Sequence, residues 1–278
     1  MNELLFGYNT NGFAHHRLED ALEIMADLGY ESVALTLDQH ALNPFVPEHS
    51  RQVLGFRRYV KLFSGMGVIE TGARFLLDPY RKHQPTIVSA SVREQRRRLD
   101  FLTRAIDTAE QTGFALVSFW SGAATDAAES RTIMRRVVAA CKRLCDHAAR
   151  RNVRLAFEPE PGMFIDTMAK FGELFDRVKH PAFGLTLDIG HLHCMGETPI
   201  EDHIRRWKDV LWNVHIEDMR RGVHEHLMFG EGEIGFPPVL RALREVGYAG
   251  GVHVELSRHS HDAVETARKA LAFLRGCK

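Results

Sequence analysis

The sequence predicts a (β/α)8 barrel. Three observations carry that expectation. Short β-rich runs alternate with amphipathic stretches along the whole chain, and a residue suited to left-handed backbone closes most of the amphipathic stretches. The β-rich runs number eight, at residues 4–8, 32–37, 68–70, 115–119, 154–157, 184–187, 211–216 and 251–255. Eight strands separated by helical patterns close most naturally into a barrel of parallel strands.

The elements are legible in chain order. The first helix shows its apolar stripe at Leu18, Ala21, Leu22, Met25 and Leu28. The third shows it at Leu99, Leu102, Ile106 and Ala109, and the fourth at Ile133, Val137, Cys141, Leu144 and Ala148. The junctions Leu28-Gly29-Tyr30, Met66-Gly67-Val68, Thr112-Gly113-Phe114, Arg151-Asn152-Val153 and Val246-Gly247-Tyr248 each place glycine or asparagine where a helix must stop before a strand begins. An open doubly wound sheet would call for a glycine-rich phosphate loop after the first strand. That turn reads Asn9-Thr10-Asn11-Gly12-Phe13, without such spacing. No Pro/Gly/Ser-rich linker or charge block divides the chain, so residues 1–278 are expected to form one barrel domain.

Composition excludes several classes of function. Lys+Arg and Asp+Glu are 36 each, which leaves no global field to attract nucleic acid or an anionic membrane. The opening Met1-Asn2-Glu3-Leu4-Leu5-Phe6-Gly7 lacks the apolar core of a signal peptide, no later run reaches membrane-spanning length, and a cytoplasmic protein is expected. Cys141, Cys145, Cys194 and Cys277 show no CxxC spacing, and they read as reduced packing residues.

Residues at the C-terminal ends of barrel strands converge on one mouth, however far apart they lie in sequence. The run Phe183-Gly184-Leu185-Thr186-Leu187 leads directly into Asp188, and His191 follows three positions later. A carboxylate is tolerable there only because water, a metal or a ligand reaches the strand end. Glu158, His215 and Glu255 end three other late strands. A single acid at a strand end is ordinarily a cap or a salt-bridge partner. Three carboxylates meeting beside an imidazole in a partly dry site repel one another and call for a cation. Oxygen-rich ligation with one nitrogen suits one divalent metal, Mn²⁺ or Mg²⁺ first, with Co²⁺, Fe²⁺ or Zn²⁺ as further candidates.

The motifs Leu-Asp188-x-x-His191, Val-His215-x-x-Asp-x-x-Arg221 and Gly230-Glu-Gly232-Glu-Ile, with the strand-end Glu158 and Glu255, make the sequence resemble the xylose-isomerase-like superfamily. That superfamily includes sugar and sugar-phosphate isomerases, ketose 3-epimerases, hydroxypyruvate isomerase, inosose dehydratase and endonuclease IV. The resemblance implies that Glu158, Asp188, His215 and Glu255 hold a metal, and that His191 and Arg221 contact substrate oxygens. The activity it implies is a metal-dependent isomerase or epimerase acting on a sugar, a sugar phosphate or a related hydroxy-carbonyl compound. Proton abstraction next to a carbonyl gives an enediolate stabilised by the metal, with Glu158 and Glu255 exchanging protons on its two faces. No nucleotide cofactor, nucleic acid or membrane partner is expected.

Two alternatives share this site. Loss of a β-hydroxyl after the same proton abstraction gives a lyase, as in inosose dehydratase. An endonuclease IV-like zinc phosphodiesterase would use further ligands, and His191, His224 and His226 stand as candidates for a second metal; plain loop histidines are the alternative for His224 and His226. That match fails at the third and fourth strand ends, which read Glu70-Thr71-Gly72 and Phe119-Trp120-Ser121 with no histidine.

Specificity is expected from the early loops. Candidate substrate contacts are His40 after the second strand, Arg74 and His83 in the long third loop, and Trp120 after the fourth. Arg74, Arg81, Lys82 and His83 are placed to grip a phosphate or carboxylate, against the alternative of a charged loop facing water. Glu158 is preferred over Glu160 as the strand-end ligand because it directly follows the apolar run. Oligomerisation is left open, with Trp207 a candidate contact.

Overall fold

Aliphatic runs buried on both faces form the staves of the structure, a computed structural model that describes residues 3–63 and 65–277. The strands are β1 (Leu5–Asn9), β2 (Ser32–Thr36), β3 (Gly67–Glu70), β4 (Leu116–Phe119), β5 (Arg154–Phe157), β6 (Phe183–Asp188), β7 (Leu211–Ile216) and, after a small hairpin, β10 (Gly251–Val254). They pair in parallel and close as β1-β10-β7-β6-β5-β4-β3-β2. The hairpin is β8 (Asp218–Arg220) with β9 (Val223–Leu227), an antiparallel pair turning at Arg221-Gly222.

The helices of the outer ring are α1 (Leu18–Leu28), α2 (His49–Val60), α3 (Val92–Thr112), α4 (Ser130–Ala149) and α5 (Met168–Val178). They continue with the short α6 (Ile189–Cys194), α7 (Ile200–Trp207), α8 (Phe236–Glu245) and α9 (Ala263–Gly276). The stripe of α4 is buried as its period requires, at Ile133, Val137, Cys141, Leu144 and Ala148. All four cysteines are free thiols. Among the described residues no helix is long and apolar enough to cross a membrane.

Gly29, Gly113, Asn152 and Gly247 take positive φ at the helix-to-strand junctions, as the sequence requires. The second junction differs. The left-handed residue is Gly65, at φ +79, and Gly67 is already the first residue of β3. Its missing side chain serves packing, because a Cβ there would lie 2.4 Å from the Phe114 ring. Trp207, an expected surface contact, instead packs edge-on against Phe171 and Phe175 at 5.0 and 5.6 Å between ring centroids. The α5 helix leaves room for that indole at Gly172, so the ring is spent on the helical shell.

Inside the barrel a polar column replaces part of the usual aliphatic filling. His253 Nδ1 lies 2.8 Å from Asn213 Oδ1, and its Nε2 lies 2.8 Å from Ser32 Oγ. Gly7 admits the ring, since a Cβ there would stand 2.3 Å from His253 Cδ2. With Nδ1–H donating to the amide oxygen, Nε2 accepts from the serine hydroxyl, and the imidazole is satisfied while neutral. Burial, aided by the nearby His215, holds its pKa down at about 3.

That depression has a sign. The unfolded ring takes a proton near its ordinary pKa of 6.5, whereas the folded ring refuses it until about 3, so stability falls as pH drops through this window. Thermal unfolding of chelator-treated protein between pH 6.5 and pH 4 measures the effect. The wild type is expected to lose stability faster than His253→Gln, by about 1 kcal/mol per pH unit. Equal slopes would show that His253 is not held neutral.

Candidate active site and metal centre

Strand periodicity builds the site. Residues two apart on a strand face the same way, so Asn213, His215 and Glu217 form one inward file and His253 and Glu255 another. Register levels the files across the barrel, with Asp188 beside His215 and His215 beside His253. Glu158 follows β5 directly and Glu255 follows β10. One ligand atom from each of Glu158, Asp188, His215 and Glu255 lies within 4.8 Å of the other three.

Asp188 combines two roles that sequence reasoning treats as rivals. Its Oδ1 accepts from the His191 backbone N–H at 2.8 Å and caps α6. Its Oδ2 is buried without a hydrogen-bond partner. The cap fixes the carboxylate plane and leaves this second oxygen facing His191 Nε2 at 3.6 Å and His215 Nδ1 at 3.9 Å.

His215 is the hub. Nδ1 lies 3.0 Å from Glu255 Oε2 and 3.2 Å from Glu158 Oε1, while Nε2 lies 2.8 Å from Glu70 Oε1. Glu70 thus orients the ring from behind, as an outer carboxylate does for a ligating imidazole, and leaves Nδ1 toward the centre. A buried, unpartnered carboxylate oxygen beside two further carboxylates and an outward-turned imidazole nitrogen is a donor set that fits a divalent cation.

The carboxyls are electrostatically unequal. Burial drives Glu158 up to about 8 against the pull of His215. Burial also acts upward on Glu255, but the His215 imidazole outweighs it and holds the group well below the usual carboxylate range. Asn11 Nδ2 donates to Glu255 Oε1 at 2.7 Å, a bond that also favours the ionised form. For His215 itself, burial lowers the pKa, but Glu70, Glu158 and Glu255 together raise it well above 6.5. Without an ion, burial thus pushes one carboxyl up and His215 holds the other down, on strands three places apart around the eight-strand ring.

A second cluster stands beside the first. His191, His224 and His226 bring one nitrogen each within 4.8 Å of the others, and His191 Nε2 lies 3.0 Å from His224 Nε2. The hairpin of β8 and β9 delivers His224 and His226, again two apart on one strand face. Asp218 anchors that hairpin. Its carboxylate accepts backbone N–H groups from Met219, Gly230, Gly232 and Ile234 at 2.8–3.1 Å. Gly232 is required there, because a Cβ would lie 2.3 Å from Asp218 Oδ1. Burial pushes the His191 pKa down to about 3, with Asp188 opposing, so the ring is neutral with a lone pair to offer.

A cavity of about 330 Å³ opens over these groups, with Glu158, Glu255, His215, His191, Trp120 and His83 among its walls. The His83 ring meets Trp120 edge-on at 5.6 Å, and the Arg98 guanidinium lies 4.6 Å from the Trp120 ring centre on another side. Arg74 and Lys82 also reach this cavity, but Arg81 is drawn off by Asp78 and Glu94 at 2.7 and 2.8 Å. His40 lies outside it, in a neighbouring cavity over β1 and β2.

Arg221 is not brought to the cavity. It sits at the exposed tip of the hairpin, with its guanidinium against Gly196, because Gly222 at φ +74 turns the chain there. The cation that does line the wall on this side is Arg258, paired with Glu225 at 2.8 Å. Sequence reasoning also missed Glu70 and Glu217. Glu217 is fully buried with both carboxylate oxygens unpartnered, and burial together with Asp188 and Glu255 drives its pKa well up. Its position two residues past His215 was the available signal. Glu160, two past Glu158, likewise lines the cavity.

Comparison with known proteins agrees with this architecture. L-ribulose-5-phosphate 3-epimerase UlaE of Escherichia coli (strain K12 / DH10B) is 23% identical over 255 residues, spanning 90% of this chain and 86% of that one. D-allulose 3-epimerase from Methylomonas sp., solved in complex with D-allulose, superposes with a TM-score of 0.76 at 19% identity over 100% of this chain and 98% of its own. An IolI protein solved with a zinc atom superposes at 0.75, with 19% identity and 98% of both chains covered. A family model described as a xylose isomerase-like TIM barrel matches residues 22–277. With residues 22–277 matched and the eight parallel strands closed into a barrel, the protein belongs to the xylose isomerase-like TIM barrel family.

Proposed function

We propose that this protein is a divalent-metal-dependent epimerase of a sugar or related hydroxy-ketone, with the metal held by Glu158, Asp188, His215 and Glu255. The observation that carries the reading is the convergence of those four side chains, with the buried Asp188 Oδ2 facing His191 and His215 at 3.6 and 3.9 Å. UlaE and D-allulose 3-epimerase, both named as 3-epimerases of ketoses or their phosphates, support the reaction class. Three carboxylates and one nitrogen favour Mn²⁺ over Mg²⁺, and the zinc in the IolI structure keeps Zn²⁺ among the candidates. When bound, such an ion polarises a carbonyl and its neighbouring hydroxyl and lowers the acidity barrier at the carbon between them.

The protein's own groups then divide the proton work. Glu255, held ionised, takes the proton from the carbon next to the carbonyl, and the electron pair moves onto the carbonyl oxygen. Glu158, as the acid on the opposite side of the cavity, returns a proton to the same carbon, which inverts it. The pair ends with its protonation exchanged, ready for the reverse substrate or for reset through water. Two carboxyls on opposite sides of one cavity are the arrangement this chemistry needs. Trp120 and His83 wall the cavity and keep water from the developing enediolate. A lyase outcome would require a leaving hydroxyl on the next carbon and shares every step up to that point. The four free thiols suit a reducing compartment such as the cytoplasm.

The histidine cluster supports a second ion beside the first, at His191, His224 and His226. Three imidazoles with converging nitrogens form a set suited to Zn²⁺. In that case His191 serves the ion and not a substrate oxygen.

Solvent deuterium uptake into ketoses tests the reaction. Glu158→Gln and Glu255→Gln are each expected to slow exchange by about 10³-fold while unfolding at a temperature close to the wild type. Wild-type exchange in either variant would remove that residue from the mechanism. For the second ion, zinc bound per chain should fall by one in His224→Ala with the first ion retained, and an unchanged count would withdraw the site.

A further inference from the structure

The main cavity has a neighbour. A second cavity of about 280 Å³ lies over the ends of β1 and β2, and Asn11, Thr36 and Arg74 are walls of both. Asn11 makes the link intimate. Its side chain donates to Glu255 Oε1 at 2.7 Å, and its carbonyl accepts from Arg74 Nη2 at 2.7 Å. The two chambers therefore adjoin along Asn11, Thr36 and Arg74, beside Glu255.

The chamber's chemistry differs from that of the first. Phe13, Leu18 and Phe75 supply apolar surface, and Ala14, Ala21 and Ala41 leave the volume open. Phe75 is an aromatic ring left 47% exposed at the rim, where it offers a face to a ligand in the chamber. The segment that carries it is held in strained backbone. Ala73 and Arg74 are consecutive non-glycine residues at φ +61 and +30, and Leu42 on the facing loop is at φ +47. Such conformations persist where surrounding structure enforces them, and they cluster at ligand clamps.

Charge argues against a phosphate as the distal group. Arg74 faces Asp38 at 3.8 Å and the Asn11 carbonyl, and Arg258 is paired with Glu225. Among the described residues, Lys82 is the one cation of the main cavity without a carboxylate partner, while Glu70, Glu158, Glu160 and Glu255 all line it. A dianion there would find one free counter-charge.

We infer that the substrate is a neutral keto-sugar carrying an O-linked, ring-sized apolar group, with the ketone end over Glu158 and Glu255 and the ring in the chamber between Phe13 and Phe75. The inference rests on the hydroxy-ketone reading of the main site and adds the class of substituent. Arg74 is a specificity-determining partition, its guanidinium held by Asp38 and Asn11 so that the ring passes over it.

The test uses one series on the Mn²⁺-loaded protein: D-fructose and its 6-O-methyl, 6-O-benzyl and 6-phosphate derivatives, with binding read by calorimetry and reaction by deuterium uptake at the carbon next to the ketone. The benzyl ether is expected to bind about ten-fold tighter than the methyl ether, from the ring area it buries. Ala41→Trp, which fills the chamber, should erase that advantage and leave methyl-ether binding unchanged. Equal binding of the two ethers, an advantage that survives Ala41→Trp, or a ten-fold preference for the phosphate would each overturn the inference. A benzyl advantage that Ala41→Trp removes, without deuterium uptake into any member, would sustain the chamber and remove the epimerase reading instead.

Discussion

The structure depends on keeping three carboxylates and an imidazole in one buried space. His215 makes that possible by facing both ways. Its Nδ1 is shared among Glu158, Glu255 and Asp188, and its Nε2 is fixed by Glu70. Without a positive centre these acids would repel one another in a site with little water to screen them. The protein's answer is graded: burial pushes Glu158 up, His215 and a hydrogen bond from Asn11 hold Glu255 down, and Asp188 has an oxygen left open. Burial and neighbours thus set two glutamates of the same chemistry apart.

Positioning elements radiate from this centre. The cap of α6 fixes Asp188, and the Asp218 knot of backbone N–H bonds fixes the hairpin that brings His224 and His226 over the mouth. On the other side the loop after β3 holds Ala73, Arg74 and His83 at positive φ. Four of the non-glycine residues at positive φ, Leu42, Ala73, Arg74 and His83, lie on the loops after β2 and β3, and β6 shifts register against β7 at Leu185-Thr186 before it delivers Asp188.

Much of this was legible in the sequence because two periods were strong. Apolar runs of buried strands and the stripes of α1, α3 and α4 announced the barrel, and an acid or histidine directly after an apolar run announced the four converging residues. What escaped detection had a weaker physical signature. Glu70 ends a strand of only four residues, and its role depends on a contact to His215 across the barrel that no local pattern encodes. Glu217 looked like part of a loop, although its two-residue spacing from His215 placed it on the inner face. The hairpin that displaces Arg221 from the cavity has three-residue and five-residue strands of mixed polarity, too short for alternation to show. Gly67 was taken for a helix stop because a glycine before a strand has two uses, and only the Phe114 ring distinguishes them.

The claim on which the account turns is that the four converging residues bind an ion. The most direct measurement is elemental analysis of protein purified without chelator, repeated after Mn²⁺ reconstitution, beside Asp188→Ala prepared identically. The account predicts that the count of divalent ions per chain drops by one in the variant while its circular dichroism is unchanged. Equal counts in the two proteins, or no ion in the wild type after reconstitution, would contradict it.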